Sequence, residues 1–156
     1  MRARGFTLIE LLVTLAILAV LAGTALPVAE ITIQRQKEQD LRNSLHEIRA
    51  AIDAYKRAFD DGRMVRGINS TGYPPSLEVL VEGVEDQKDP RRNKMYFLRR
   101  VPRDPMEPTA SANPADSWAR RAYASDAAEP KAGDDVYDVM SRSNRIGLNG
   151  LAYDKW

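Results

Sequence analysis

The 156-residue chain has no cysteine and only one histidine, His46. Without thiols there is no disulfide, no thiolate zinc site and no cysteine nucleophile, whatever the compartment. The lone imidazole sits next to Leu45 with no second His or Cys to join it, so it reads as a surface residue with no ligand or catalytic role. Charge of one sign is missing too. With 23 Lys+Arg against 22 Asp+Glu and a net charge of +1, there is no basic field to neutralise phosphates, which argues against nucleic acid as a partner. The acid clusters, Asp60-Asp61 and Asp134-Asp135 with Asp138, have no paired histidine. No Ser/His/Asp arrangement and no phosphate-cradling glycine loop accompanies them. Both clusters read as solvated loop charge, and the chain is not expected to be an enzyme. The length is about one domain's worth, too short for multi-domain machinery.

The 44% hydrophobic content is an average over two unlike halves. In residues 6–29 everything but Thr7, Glu10, Thr14, Gly23, Thr24 and Pro27 is apolar, and no charge follows Glu10 until Glu30. As a helix, the uncharged residues 11–29 are about 28 Å long, close to the hydrocarbon thickness of a bilayer. Arg2 and Arg4, with no acid before Glu10, favour a cytoplasmic N-terminus and place the rest of the chain across the membrane. A secretory signal cleaved at Ala22-Gly23-Thr24-Ala25 shares the basic start and apolar run. Glu10 separates the two readings. An acid inside an apolar helix costs about 2.5 to 3.5 kcal/mol at mid-membrane and less near the interface. A discarded signal gains nothing from it, whereas an assembly that supplies a cation does. Gly23 and Pro27 are four apart, so proline removes the hydrogen bond to the Gly23 carbonyl and a kink is expected there.

The run Arg4-Gly5-Phe6-Thr7-Leu8-Ile9-Glu10-Leu11-Leu12 resembles the N-terminal signal of type IV pilins and type II secretion pseudopilins. The resemblance implies cleavage by a prepilin peptidase between Gly5 and Phe6 and methylation of the new N-terminus at Phe6. It also implies that Glu10 neutralises the Phe6 amine of a neighbouring subunit. Loss of one partner of such a buried pair costs about 3 to 5 kcal/mol, enough to set the stagger of a helical stack.

From Gln34 onward the pattern is amphipathic. Leu41, Leu45, Ile48, Ile52, Tyr55 and Phe59 form one apolar stripe, with Glu38, Asp40, Arg42, Glu47, Arg49, Asp53 and Lys56 off it. The stripe is expected to pack on a C-terminal domain. Joined to the apolar segment it makes a helix about 80 Å long, ending at Asp60-Asp61-Gly62, which suits a filament better than a lone globule. Ser76 is expected to cap a short helix over 77–82, with Leu77, Leu80 and Val81 facing inward. Strands are expected at 95–98, at 118–125 and at 136–141, and residues 104–134, with four of the nine prolines, read as mostly loop.

Gly72-Tyr73-Pro74-Pro75-Ser76-Leu77, the run from Leu98 to Pro105, Trp118 with Tyr123, and Val136-Tyr137-Asp138-Val139-Met140-Ser141 are similar to the head of the major pseudopilins of type II secretion, the general secretion pathway protein G family. Pilins commonly close this region with a disulfide, which the absence of cysteine excludes. The resemblance implies an α+β, pilin-like fold: a long N-terminal helix, half membrane and half amphipathic, packed on a small antiparallel β-sheet head. The segments are a leader at 1–5, a transmembrane and filament-core helix at 6–30, the amphipathic half at 31–62 and the head with its C-terminal loop at 63–156. It also implies calcium in that loop. Ser141, Asn149 and Asp154 are the candidate ligands, although calcium takes six to eight oxygens and Asp154 is the one carboxylate, opposed by Arg142 and Arg145. The alternative is a metal-free loop held by Tyr153 and Trp156 packing on the head.

The function implied is a structural subunit of a type II secretion pseudopilus, polymerised through its hydrophobic helix to help drive protein export across the outer membrane. Its partners are copies of itself, other pseudopilins, inner-membrane assembly proteins and the prepilin peptidase. The location is the inner membrane of a Gram-negative-type cell, with the head in the periplasm. The alternatives are a type IV pilus subunit or a minor pseudopilin and, from another class, a membrane-tethered or exported periplasmic binding protein.

Overall fold

The computed structural model describes residues 5–67, 70–107 and 112–156, apart from the side chains of residues 23–28. The chain divides, at a point within its first helix, into two compact units, Met1–Gln36 and Lys37–Trp156. That helix, α1, runs Leu8–Asp60 and is followed by α2 (Glu78–Glu82), β1 (Val84–Glu85), β2 (Lys94–Met95), β3 (Trp118–Arg121) and β4 (Asp138–Ser141). Two short 3-10 turns, Pro114–Ser117 and Tyr153–Lys155, complete the order. The class is α+β, as expected.

In the first unit the described large apolar side chains of α1 stand exposed. From Leu8 through Leu21 each is at least half exposed. Such a continuous apolar surface needs a bilayer or other helices around it. Among the described residues no helix is long and apolar enough to cross a membrane. The span expected at 6–30, and the kink expected at Gly23 and Pro27, both include residues 23–28, whose side chains lie outside the described residues.

In the second unit the apolar stripe becomes the core. Leu41, Leu45, Ile48, Ile52 and Tyr55 are buried, joined by Ala51 and Ala58, while Phe59 is half-buried at the edge. They pack with Leu77, Leu80, Leu98, Met106, Trp118, Val136, Val139 and Tyr153. The helix stops where Asp60-Asp61-Gly62 predicts. Gly62 adopts φ 70°, its N–H donates to the Phe59 carbonyl and the Arg63 N–H to the Ala58 carbonyl, the paired bonds of a left-handed glycine stop.

The β structure is sparser than the sequence suggests. Strand β1 pairs antiparallel with β2, Val84 opposite Met95, and β3 with β4, Trp118 opposite Ser141. Instead of a strand over 95–98, β2 covers Lys94–Met95, because the Phe97 and Leu98 N–H groups both turn to the Leu80 carbonyl and carry Leu98 into the core. Strand β3 ends at Arg121 rather than 125, and β4 starts at Asp138 rather than 136: the Val136 N–H goes to the Pro74 carbonyl, outside the ladder. Ser76 is not the cap of α2. Leu77 holds that position, with no side-chain cap.

Candidate functional site

The N-terminal site starts from an accessible peptide bond. Gly5 and Phe6 are non-helical and exposed, Phe6 at 85%, and a Cβ built on Gly5 meets nothing within 4 Å. The rest of the expected leader, residues 1–4, lies outside the described residues. Three residues on, Thr7 and Glu10 close a reciprocal cap. The Glu10 N–H donates to Thr7 Oγ1 at 3.3 Å, while Glu10 Oε2 accepts from the Thr7 N–H at 3.4 Å and its hydroxyl at 3.5 Å. The Leu11 N–H then makes the first helical bond, to the Thr7 carbonyl at 3.1 Å. This is a capping box, Thr-x-x-Glu, which fixes the start of α1 two residues after Phe6 and holds an anion at the positive end of the helix dipole. The Thr-x-x-Glu spacing is a capping signal that the sequence reading did not use, separate from the intersubunit pairing expected of Glu10. Both oxygens of the cap are exposed, so the carboxylate remains open to a second chain.

At the other end, the structure does not collect the expected metal ligands into a donor set. Ser141 Oγ is buried and already engaged: it donates to Asp104 Oδ2 at 2.6 Å and accepts from the Ser143 N–H at 3.0 Å. Asn149 Oδ1 accepts from the Leu151 N–H at 3.0 Å. Asp154 Oδ1 is buried without a hydrogen-bond partner, but Asp154 and Asp138 line a cavity of about 220 Å³ together with Arg49, Arg121 and Lys155. Two acids facing three cations disfavour a divalent ion. Among the described residues no group of three or more His, Cys, Asp or Glu lies close enough to hold a metal. With Ser141 committed, one carboxylate and one amide fall far short of six to eight oxygens, and the residues do not fit calcium.

What holds the C-terminal segment instead is a row of charged side chains on α1. Glu38, Arg42 and Arg49 lie four and seven residues apart, on one face beside the apolar stripe. Glu38 is buried at 6% exposure, and its Oε1 accepts from the Leu148 N–H at 2.8 Å and the Tyr153 hydroxyl at 2.9 Å. Arg42 stacks on the Trp156 ring, 4.5 Å from its centroid. Arg49 donates to Asp138 Oδ1 at 2.8 Å, the Val139 carbonyl at 3.0 Å and the Trp156 carbonyl at 2.9 Å. The sequence reading placed all three off the apolar stripe and gave them no partner. Their shared helical face was the only signal available, and it names no partner. Tyr153 and Trp156 pack edge to face at 5.2 Å.

The acid clusters are also more than solvated charge. Asp135 is buried, accepting from the Thr71 hydroxyl and, at 2.8 Å, from the Tyr123 N–H. Asp138 pairs with Arg49, and Asp60 with Lys56. Each organises a loop or a helix end. His46 is exposed, with no resolved role.

Comparison with known proteins points at the same N-terminal residues. Residues 1–26 match the family described as Prokaryotic N-terminal methylation motif. Over 108 residues the chain is 30% identical to Type II secretion system core protein G of Pectobacterium carotovorum subsp. carotovorum, covering 67% of this chain and 62% of that one. The core protein G of Pseudomonas aeruginosa is 30% identical over 105 residues, covering 65% and 66%, and that of Klebsiella pneumoniae 29% identical over 108 residues, covering 67% and 69%. The match thus spans less than two thirds of the length of the first two relatives. No solved structure matches the chain.

Proposed function

The chain belongs to the major pseudopilins of type II secretion, and from that premise we propose that it is a structural, non-enzymatic subunit of a secretion pseudopilus. A prepilin peptidase cuts after Gly5 and methylates Phe6. The mature chain sits in the inner membrane with its head in the periplasm, then leaves the bilayer for a periplasmic filament of its own copies and other pseudopilins, helping to move proteins across the outer membrane.

One observation carries the reading: an exposed apolar helix face, opened by a single carboxylate. The side chains from Leu8 to Leu21 are exposed along a helix whose first turn holds Glu10, the one acid there. A bilayer covers that face before assembly, and neighbouring copies cover it afterwards. Once Phe6 is the N-terminus, its amine lies one turn from Glu10, so each subunit presents one charge of each sign at the same level of the helix. A neighbour displaced along the filament axis brings its amine to this carboxylate. The pair offsets the cost of holding either charge away from water.

Mass spectrometry of the mature chain, produced with a prepilin peptidase, tests the first step. A methylated Phe6 end is expected. An end near Ala25, or an uncut chain, overturns the assignment of residues 1–29.

A further inference from the structure

The C-terminal loop offers donors, not acceptors, to its central contact. The Leu148 N–H and the Tyr153 hydroxyl converge on one buried carboxylate oxygen of Glu38, across sequence separations of 110 and 115 residues. A loop wrapped around a metal ion does the reverse, turning carbonyls and carboxylates inward. The loop is also closed on itself. The Gly147 N–H donates to the Leu151 carbonyl at 2.8 Å, the Tyr153 N–H to the Arg145 carbonyl at 3.1 Å, and Ile146 bridges Ala152. Gly147 sits under the aromatic pair: a Cβ there would come within 2.8 Å of the Trp156 ring and 3.0 Å of the Tyr153 ring. The Arg42 and Arg49 contacts secure the far end, Trp156, to α1.

We propose that the C-terminal loop of this pseudopilin, residues 142–156, is locked to α1 by a metal-free clamp centred on Glu38, with Arg42 and Arg49 beside it, and that the head is indifferent to calcium. A carboxyl group on the helix does the work that a bound cation would do in the loop. Its position matters because the Glu38 side chain is buried and its Oε1 accepts from two donors; removing the acceptor takes away the contact that holds the Leu148 amide and strands the buried Tyr153 hydroxyl. The clamp stands on contacts within the Lys37–Trp156 unit, so it is tested whether or not the chain assembles into filaments.

The experiment uses the full chain in detergent, wild type and Glu38→Ala, each in millimolar calcium and in chelator. Hydrogen exchange is followed at the Gly147, Leu148 and Tyr153 amides, alongside the thermal midpoint. For the wild type, exchange and midpoint should be the same in both conditions. In Glu38→Ala the three loop amides should exchange about tenfold faster or more, while the Ile48 and Val139 amides keep their protection, and calcium should restore nothing. Slower loop exchange or a higher midpoint of the wild type in calcium overturns the proposal, since a ligand of the folded state must stabilise it. So does unchanged loop exchange in Glu38→Ala. If that variant does not fold, Tyr153→Phe removes one of the two donors and keeps the ring packing. Its loop amides should exchange severalfold faster, and wild-type exchange there overturns the clamp equally.

Discussion

Single carboxylates do different work in this molecule according to what surrounds them. Glu10 is exposed and shared between a cap and, in the proposed filament, a neighbour's amine. Glu10→Ala should therefore abolish filaments when the chain is expressed with its assembly machinery, as seen by electron microscopy of sheared cells, while thermal unfolding of the head stays unchanged. Thr7→Ala removes the cap but not the charge. It should cost the helix start about 1 kcal/mol and leave filaments in place. Asp104, by contrast, is 1% exposed and accepts from the Met106 N–H at 2.8 Å and the Ser141 hydroxyl at 2.6 Å. Asp104→Ala strands both donors, with an expected loss of about 1 to 3 kcal/mol per unsatisfied group in urea unfolding. Asp86 reports on pH. Its hydrogen bond from the Arg63 guanidinium, helped by the Lys88 N–H, holds its carboxyl below the usual range against the opposing effect of desolvation. The unfolded chain then binds the proton more readily, so Asp86 contributes stability above the ordinary carboxylate pKa of about 4, lost as the pH falls through the lower folded value. The urea midpoint of the wild type should fall more steeply than that of Asp86→Asn as the pH drops below about 4.

At the scale of elements, α1 is the part most legible from sequence, because its signals are local. The stripe from Leu41 to Tyr55 repeats at helical spacing and is buried as that spacing requires. The stop at Gly62 follows from a residue that accepts positive φ. Ile48→Ala should cost about 2 to 5 kcal/mol, whereas exposed His46→Ala should stay within about 0.5 kcal/mol, both read from denaturant midpoints. Three of the four strands were legible in place but not in extent. Each of β1 and β2 is two residues long, too short for alternation to register, and β1 went unrecognised. At Phe97 and Leu98 the apolar run continues while its amides bond to Leu80 instead of a ladder. Composition cannot distinguish those two uses of the same residues. The capping error at Ser76 has a similar origin: a good capping residue stands one position too early, and the chain begins α2 from Leu77.

For the whole molecule, the two halves answer to different solvents. The Lys37–Trp156 unit closes over its own core, whereas the large apolar side chains of α1 from Leu8 to Leu21 are exposed. A charge placed among the latter should act on location rather than on folding. Leu18→Asp, at an insertion cost of about 2.5 to 3.5 kcal/mol near mid-membrane, should shift the chain out of the membrane fraction on cell fractionation. Its head should keep the wild-type thermal midpoint.

The amino-acid sequence alone determined the features written over short distances: the N-terminal methylation motif that contains Gly5, Phe6 and Glu10, the uncharged run behind it, the helical stripe and its glycine stop. Neighbours three or four residues apart carry that information, and the same physics acts on them in any chain. Tertiary structure decided the fate of the charges. Glu38, Arg42, Arg49, Asp104 and Asp135 all look solvated when read along the chain, and each is instead a partner to a group up to 115 residues away. A buried ion is tolerated only where donors or acceptors surround it, and no local pattern records where a distant loop will bring them.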